Sequence, residues 1–206
     1  MILNINEVFH SIQGEAHWTG TPALFIRLQG CDVGCPWCDT RDSWPIKARM
    51  VLDENGVAEL LDRTQERHVV ITGGEPFQHN IEWLVRAVIA HGKRVQIETS
   101  GTYELPDWLL TKEHSRVWIT ASPKIGFNRQ LLDVVVMEAD EIKMPVRTVD
   151  DVDNLLALLD RISWNRGDVW LQPLSQSRRA TAICIDQAAK HGFRVSVQVH
   201  KYLGLQ

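Results

Sequence analysis

Apolar residues fall into two rhythms along this chain. Short β-branched runs, each bounded by glycine, proline, serine or aspartate, predict strands at residues 23–28, 68–72, 94–98, 117–120, 141–143, 169–171 and 194–199. Between them, apolar residues three and four apart predict helices over 81–91, 150–162 and 181–191. In the middle helix the buried stripe is Val152, Leu155, Leu156 and Leu159, and the outer two run into Gly92 and Gly192 as stop signals. Strand–helix alternation of this kind builds a mostly parallel sheet with helices outside it. The pattern alone admits a partial or complete α/β barrel and equally an open doubly wound sheet. Either architecture gathers function at the C-terminal ends of its strands. Polar, glycine- and proline-rich segments follow strand after strand there: Gly73-Gly74-Glu75-Pro76, Glu98-Thr99-Ser100-Gly101, Ser122-Pro123-Lys124 and Gln172-Pro173-Leu174-Ser175.

The 206 residues predict one domain spanning 1–206, since two would each fall short of the usual ~150-residue size. With 44% hydrophobic and 23% charged residues, the chain has the makings of a sizeable core, and disorder is excluded as its main state. Twenty-two Lys and Arg against 26 Asp and Glu give a net charge of −4, which argues against a nucleic-acid partner. The first residues have neither the basic region nor the apolar core of a secretion signal, and charge interrupts every apolar run short of ~18 residues. A cytoplasmic protein with no membrane partner is expected, and its four cysteines then read as thiols or ligands rather than as disulfides.

Cys31, Cys35 and Cys38 form C-x₃-C-x₂-C on a loop, 31–38, that follows the first predicted strand. Three clustered cysteines cannot pair into disulfides without leaving one over. A structural zinc wants four ligands, and no further Cys or His follows at finger-like spacing. A cubane iron–sulfur cluster ordinarily takes four cysteines, so three would leave one iron open for chemistry. Zinc and plain thiols stay open as alternatives. Cys184, on the predicted helix 181–191 among Ile183 and Ile185, reads as a buried structural thiol. Arg27 stands on the otherwise apolar run Leu24-Phe25-Ile26-Arg27-Leu28, either exposed or buried and paired.

The cysteine triplet, with Trp37 before its last member, resembles the radical S-adenosylmethionine superfamily. Further motifs make nearly the whole chain similar to one family within it, the 7-carboxy-7-deazaguanine synthases. They are Phe9-His10-Ser11-Ile12-Gln13-Gly14-Glu15, Phe25-Ile26-Arg27-Leu28-Gln29-Gly30-Cys31, Cys38-Asp39-Thr40 and Ile71-Thr72-Gly73-Gly74-Glu75-Pro76. Gln96-Ile97-Glu98-Thr99-Ser100-Gly101, Ser122-Pro123-Lys124, Gln172-Pro173-Leu174-Ser175 and His200-Lys201-Tyr202-Leu203 complete the set.

The resemblance implies a partial, TIM-like α/β barrel. It also implies radical-initiated ring contraction of 6-carboxy-5,6,7,8-tetrahydropterin to 7-carboxy-7-deazaguanine with loss of ammonia, a carbon–nitrogen lyase step on the route to queuosine. The implied cofactors are a 4Fe–4S cluster on Cys31, Cys35 and Cys38, S-adenosylmethionine, and Mg²⁺ at Thr40. S-adenosylmethionine would meet Trp37, Cys38, Asp39, Gly74, Glu75, Ser122, Pro123, Lys124, Gln172, Pro173, Leu174 and Ser175. The pterin substrate would meet Ile12, Gln13, Gly14, Arg27 and Thr72. An external electron donor such as flavodoxin or ferredoxin and a homodimer are implied as well. One departure stands out: the family's Q-G-E-G reads Gln13-Gly14-Glu15-Ala16 here, and alanine would be disfavoured if position 16 needed positive φ. A glycyl-radical activase shares the cysteine spacing and is the rival enzyme reading. A zinc or iron–sulfur binding module without catalysis is the rival from another class.

Overall fold

The computed structural model describes residues 1–47, 49–110, 116–127 and 129–205. Among them a nine-stranded sheet runs in the order β3-β1-β2-β4-β5-β6-β7-β8-β9. The strands are β1 (Ile2–Ile12), β2 (Pro22–Leu28), β3 (Met50–Asp53), β4 (His68–Gly73), β5 (Arg94–Thr99), β6 (Val117–Ala121), β7 (Glu141–Val146), β8 (Val169–Pro173) and β9 (Arg194–Val195). From β2 through β4 to β9 every neighbouring pair is parallel. Antiparallel β1 lies between β2 and the edge strand β3. The outermost strands, β3 and β9, do not pair with one another, so the sheet curls into an open barrel.

Helices α1 (Glu54–Arg63), α2 (Glu82–Ala90), α4 (Asp133–Glu138), α5 (Val149–Arg161) and α6 (Arg178–His191) accompany the strands, with one-turn segments α3 (Asp107–Leu110) and α7 (Val199–Tyr202). Their ends are set locally. The Asp53 carboxylate accepts from the Gly56 amide at 2.8 Å to start α1, the Ser177 hydroxyl accepts from the Ala180 amide to start α6, and Gly192 ends α6 in the left-handed region.

Alternation along each strand divides the sheet into two chemically different faces. Toward the helices point Leu24, Ile26, Leu28, Val69, Ile71, Val95, Ile97, Ile119 and Ala121, which form one core with Leu61, Leu84, Val85 and Val88. Ile142, Met144, Val146 and Leu171 form a second core with Leu155, Leu158 and Cys184. The residues of opposite parity line the concave face: Phe25 and Arg27, His68 and Thr72, Gln96 and Glu98, Trp118 and Thr120, Glu141 and Lys143, Trp170 and Gln172. The interior of the barrel is therefore polar. His68 bonds Gln96 at 3.0 Å, Gln96 donates to the Thr120 hydroxyl at 2.9 Å, and that hydroxyl donates to Glu141 at 2.7 Å. The loop after β1 plugs the lower end. His17 stacks on Trp118 at 4.5 Å, Trp18 packs on His68 at 4.9 Å, and the His17 amide donates to Glu141 at 3.1 Å.

The seven strands and three helices read from the sequence are all present, with corrections at their ends. The run 194–199 is a strand only at Arg194 and Val195; Val199 starts α7, because the chain turns there to meet the first loop, where the Val199 amide donates to the Gly14 carbonyl at 2.9 Å. β7 extends past Lys143 to Val146, carrying Pro145 within it. β1, β3, α1 and α4 come from segments with no predicted element.

Candidate functional site

At the C-terminal ends of the parallel strands lies a cavity of about 310 Å³. It is lined by Ile12, Gln13, Gly14, Arg27, Cys31, Cys35, Trp37, Cys38, Asp39, Thr40, Thr72, Gly74, Glu75, Ser122, Lys124, Gln172, Pro173, Leu174 and Ser175. Every residue expected at the site thus borders one space, with one exception. Pro123 lines a smaller neighbouring cavity with Trp37 and Phe127, since its flanking residues Ser122 and Lys124 take the inward face.

The cysteine loop is held from both sides. The Gly30 amide donates to the Ser43 carbonyl at 2.7 Å and the Cys31 amide to the Trp44 carbonyl at 3.1 Å. From the glycine-rich turn, the Glu75 amide donates to the Gly30 carbonyl at 2.9 Å. That approach needs Gly74 bare: a Cβ there would stand 1.8 Å from the Gly30 oxygen. Glu75 is itself buried. Its carboxylate accepts from the Thr99 hydroxyl at 2.7 Å, the Ser100 amide at 2.7 Å, the Ser100 hydroxyl at 2.5 Å and the Phe77 amide at 3.1 Å. Glu75 therefore ties the turn to the end of β5 and also borders the cavity in which the resemblance would have it meet S-adenosylmethionine.

Trp44 donates its indole N–H to the Cys38 sulfur at 3.3 Å, and the Thr40 hydroxyl lies 3.7 Å from the same sulfur. Burial pushes the Cys31 thiol up to about 11 and raises that of Cys35. Burial also lowers the pKa of Lys124, whose ammonium donates to the Ser122 carbonyl at 2.8 Å and the Ser122 hydroxyl at 2.5 Å.

Residues 25–163 match the radical SAM superfamily. The chain is 37% identical over 227 residues to the 7-carboxy-7-deazaguanine synthase of Escherichia coli K12, covering 98% of each chain. It is equally identical to the synthase of Buchnera aphidicola, over 100% of each chain. The crystal structure of QueE from Escherichia coli superimposes with a TM-score of 0.86 at 36% identity, covering 96% of this chain and 94% of that one. The chain belongs to the 7-carboxy-7-deazaguanine synthase family of radical SAM enzymes.

Membership in the radical SAM superfamily carries a 4Fe–4S cluster and S-adenosylmethionine with it. The donor set here fits the cluster. Among the described residues no three His, Cys, Asp or Glu side chains converge as they would on one metal ion. A cubane is held differently, each thiolate at its own iron, and three thiols on one short loop beside an open cavity suit that demand. A bound cluster would also favour the thiolate form that burial alone opposes. No helix among the described residues is long and apolar enough to cross a membrane.

Opposite the cysteines, the family fold gathers charges that the sequence reading did not assign to the site. Lys143, with a side chain only 5% exposed, pairs with Glu15 and also with Glu98 at 3.3 Å. Gln198 and Gln172 donate to Glu15 at 2.7 and 3.2 Å, and Gln13 donates to Glu98 at 3.1 Å. Burial works against the Glu15 charge, but the attraction and hydrogen bond of Lys143 outweigh it, and the carboxyl is held at about 2. Burial likewise opposes the Lys143 charge, and the two carboxylates overcome it and raise its pKa. Inward parity was the available signal, since Glu98 follows Gln96 and Lys143 follows Glu141 by two.

Arg27 is paired rather than exposed. Its Nε donates to Glu7 at 2.6 Å, and its guanidinium lies 5.6 Å from the Phe9 ring centroid. Phe9 in turn stacks on Phe25 at 4.9 Å, forming a flat aromatic wall. Ala16 does adopt positive φ, at 54°, where the family has glycine. Its amide donates to the Ser196 hydroxyl at 3.0 Å and its carbonyl accepts from the Thr19 hydroxyl at 2.8 Å, so alanine holds this positive-φ position with both backbone groups paired. His200 and Lys201 also line the cavity, and Lys201 reaches Asp39 of the cysteine loop at 3.5 Å.

Proposed function

We propose that the chain converts 6-carboxy-5,6,7,8-tetrahydropterin to 7-carboxy-7-deazaguanine with release of ammonia, a carbon–nitrogen lyase reaction in queuosine biosynthesis. The observation that carries this reading is the cavity itself, where the three cysteines face Gln13, Gly14, Arg27 and Thr72 across one space. An activase needs room for a protein segment. Here the side chains that share the cavity with the cysteines, Gln13, Arg27 and Thr72, instead offer polar groups suited to a small substrate held beside the cofactors.

Cys31, Cys35 and Cys38 would hold the cluster. Trp37, Asp39, Gly74, Ser122, Lys124 and the segment Gln172-Pro173-Leu174-Ser175 would border S-adenosylmethionine. Bound together and given one electron by an external donor, these cofactors would supply a 5′-deoxyadenosyl radical. The chain's own residues then orient the substrate and exclude water. Arg27 grips the pterin carboxylate. Its Nε donates to Glu7, which orients a guanidinium that carries five N–H donors in one plane. The Phe9–Phe25 wall covers a ring face. Glu15 and Glu98 offer acceptors to the N–H-rich edge of the pterin, and Lys143 pairs with both. Thr40 would take Mg²⁺ together with substrate oxygens and water, because a neutral hydroxyl is too weak a ligand alone. The single domain, the cytoplasmic location, the homodimer and a flavodoxin- or ferredoxin-like donor belong to the same reading.

Anaerobic reconstitution with iron and sulfide, followed by incubation with the carboxy-tetrahydropterin, S-adenosylmethionine, Mg²⁺ and a reductant, tests it. A new deazapurine carboxylate of the expected mass is the expected product. Cleavage of S-adenosylmethionine with no consumption of the pterin would overturn the substrate assignment.

A further inference from the structure

Beside Cys31 the cysteine loop also makes side-chain contacts outside the cavity. Asp32 directly follows Cys31 and is not a lining residue. Arg129 Nε lies 2.7 Å from its Oδ1 and 2.6 Å from its Oδ2, and the Tyr103 hydroxyl lies 3.0 Å from each. The Arg129 guanidinium also sits 4.0 Å from the Tyr103 ring centroid. Carboxylate, cation and phenol therefore touch one another in a closed triad, drawn from three separate stretches of chain. Two residues before Arg129, Phe127 packs edge-on against Trp37 at 4.7 Å. Phe127 and Arg129 thus hold the cysteine loop at both ends, beside Cys31 and beside Cys38.

The triad lies at the surface, with side-chain exposures of 40% for Arg129 and 45% for Asp32. An exposed ion pair adds little to global stability. Its value here is local: a guanidinium fork on a ring face loses little freedom on binding and fixes orientation as well as charge. We propose that Arg129 is a positioning residue for the cysteine loop, fixing the chain at Cys31 through Asp32 and Tyr103 and neutralising the carboxylate that adjoins that cysteine in the chain. The proposal rests on the cofactor of the superfamily and not on the choice of substrate.

Charge separates this role from simple bracing. A bare carboxylate near a cluster opposes the added electron, and a bare guanidinium favours it. In the reconstituted holoenzyme, Arg129→Gln should therefore lower the cluster midpoint potential and Asp32→Asn should raise it. The double variant should return close to the parent. Arg129→Lys keeps the charge without the fork, so its midpoint should stay near the parent. Loss of iron to an excess of chelator should be about three- to tenfold faster in each single variant, the size of effect that one exposed contact sustains. In metal-free protein, alkylation of Cys31 should speed up in the same variants, while the melting temperature moves by no more than about 4 °C. Midpoint shifts of the same sign in Arg129→Gln and Asp32→Asn would overturn the charge-balancing role. Parent-like iron loss and Cys31 alkylation in both would overturn the positioning role.

Discussion

Replacing Lys143 with methionine keeps the reach of the side chain and deletes its charge. The ammonium is nearly buried and serves two carboxylates, so its loss strands Glu15 and Glu98 inside the cavity. The displacement of Glu15 from 4.5 to about 2 sets the scale, and at ~1.4 kcal/mol per pKa unit it corresponds to about 3 kcal/mol. That lies at the lower end of the ~3–5 kcal/mol cost of removing one partner from a buried pair. For a chain of this length the melting temperature should fall by about 6–12 °C. The dependence on pH follows from the direction of each shift. Glu15 has a depressed folded pKa, so its stabilisation is whole above about pH 4.5 and is lost as pH falls toward 2. Lys143 has a raised one, so its contribution is whole at every pH below its ordinary value near 10.5. In Lys143→Met the main attraction lowering Glu15 is gone, and burial, which lifts a carboxyl, is opposed by the neutral hydrogen bonds of Gln198 and Gln172 in place of a paired cation. Acid should then relieve the variant while it weakens the parent. Urea unfolding of metal-free protein should show the gap widest near pH 7 and narrower near pH 4. Equal stabilities at pH 7, or a gap that widens on acidification, would refute a net attractive pair.

Cys31→Ala, Cys35→Ala or Cys38→Ala should each abolish reductive cleavage of S-adenosylmethionine, whereas Cys184→Ala should leave it largely intact; Cys184 sits in the second core with its thiol pushed up to about 12 by burial. Arg27→Ala should weaken pterin binding about 10- to 150-fold, the worth of one charge-assisted hydrogen bond, while uncoupled cofactor cleavage continues; unchanged affinity by titration calorimetry would remove Arg27 from the grip. Thr40→Val should lower Mg²⁺-stimulated product formation without changing iron content, and full turnover after thorough chelation of Mg²⁺ would exclude a metal there. Gly74→Ala should cut iron incorporation several-fold, because its methyl group collides with backbone that cannot yield cheaply; wild-type loading in that variant would show that the turn can shift.

The strands facing the helices were legible because burial on both sides of a parallel sheet selects β-branched runs, as at His68-Val69-Val70-Ile71. Helices α2, α5 and α6 were legible from a wide apolar stripe or a glycine stop. β1 was not, because its polar residues Asn4, Asn6, Glu7, His10 and Ser11 dilute the pattern and a register shift between Ile5 and Glu7 breaks the period of two. α1 buries only Val57 and Leu61 and carries Gly56 in its first turn, so its signal is faint. At the site, the motifs were readable because each follows a strand in the chain. Lys143 and its two carboxylates were not, since they come from sequence positions 15, 98 and 143 and meet only when the sheet curls. The Arg129 triad is hidden for the same reason.

The open side of the barrel is bridged by the loop after β1 and the segment after β9: the Val199 amide on the Gly14 carbonyl, the Ala16 amide on the Ser196 hydroxyl, and His200 packed where Gly14 has no side chain. These partners are some 180 residues apart in sequence. Contacts so distant carry the largest loop-closure entropy and form late. In folding, β1 to β8 and their helices can assemble before residues 196–200 dock. Until those residues arrive, the cavity has no wall on that side, and Lys201 cannot reach Asp39. Closure of this seam is therefore the folding step that completes the cavity wall beside the cysteine loop.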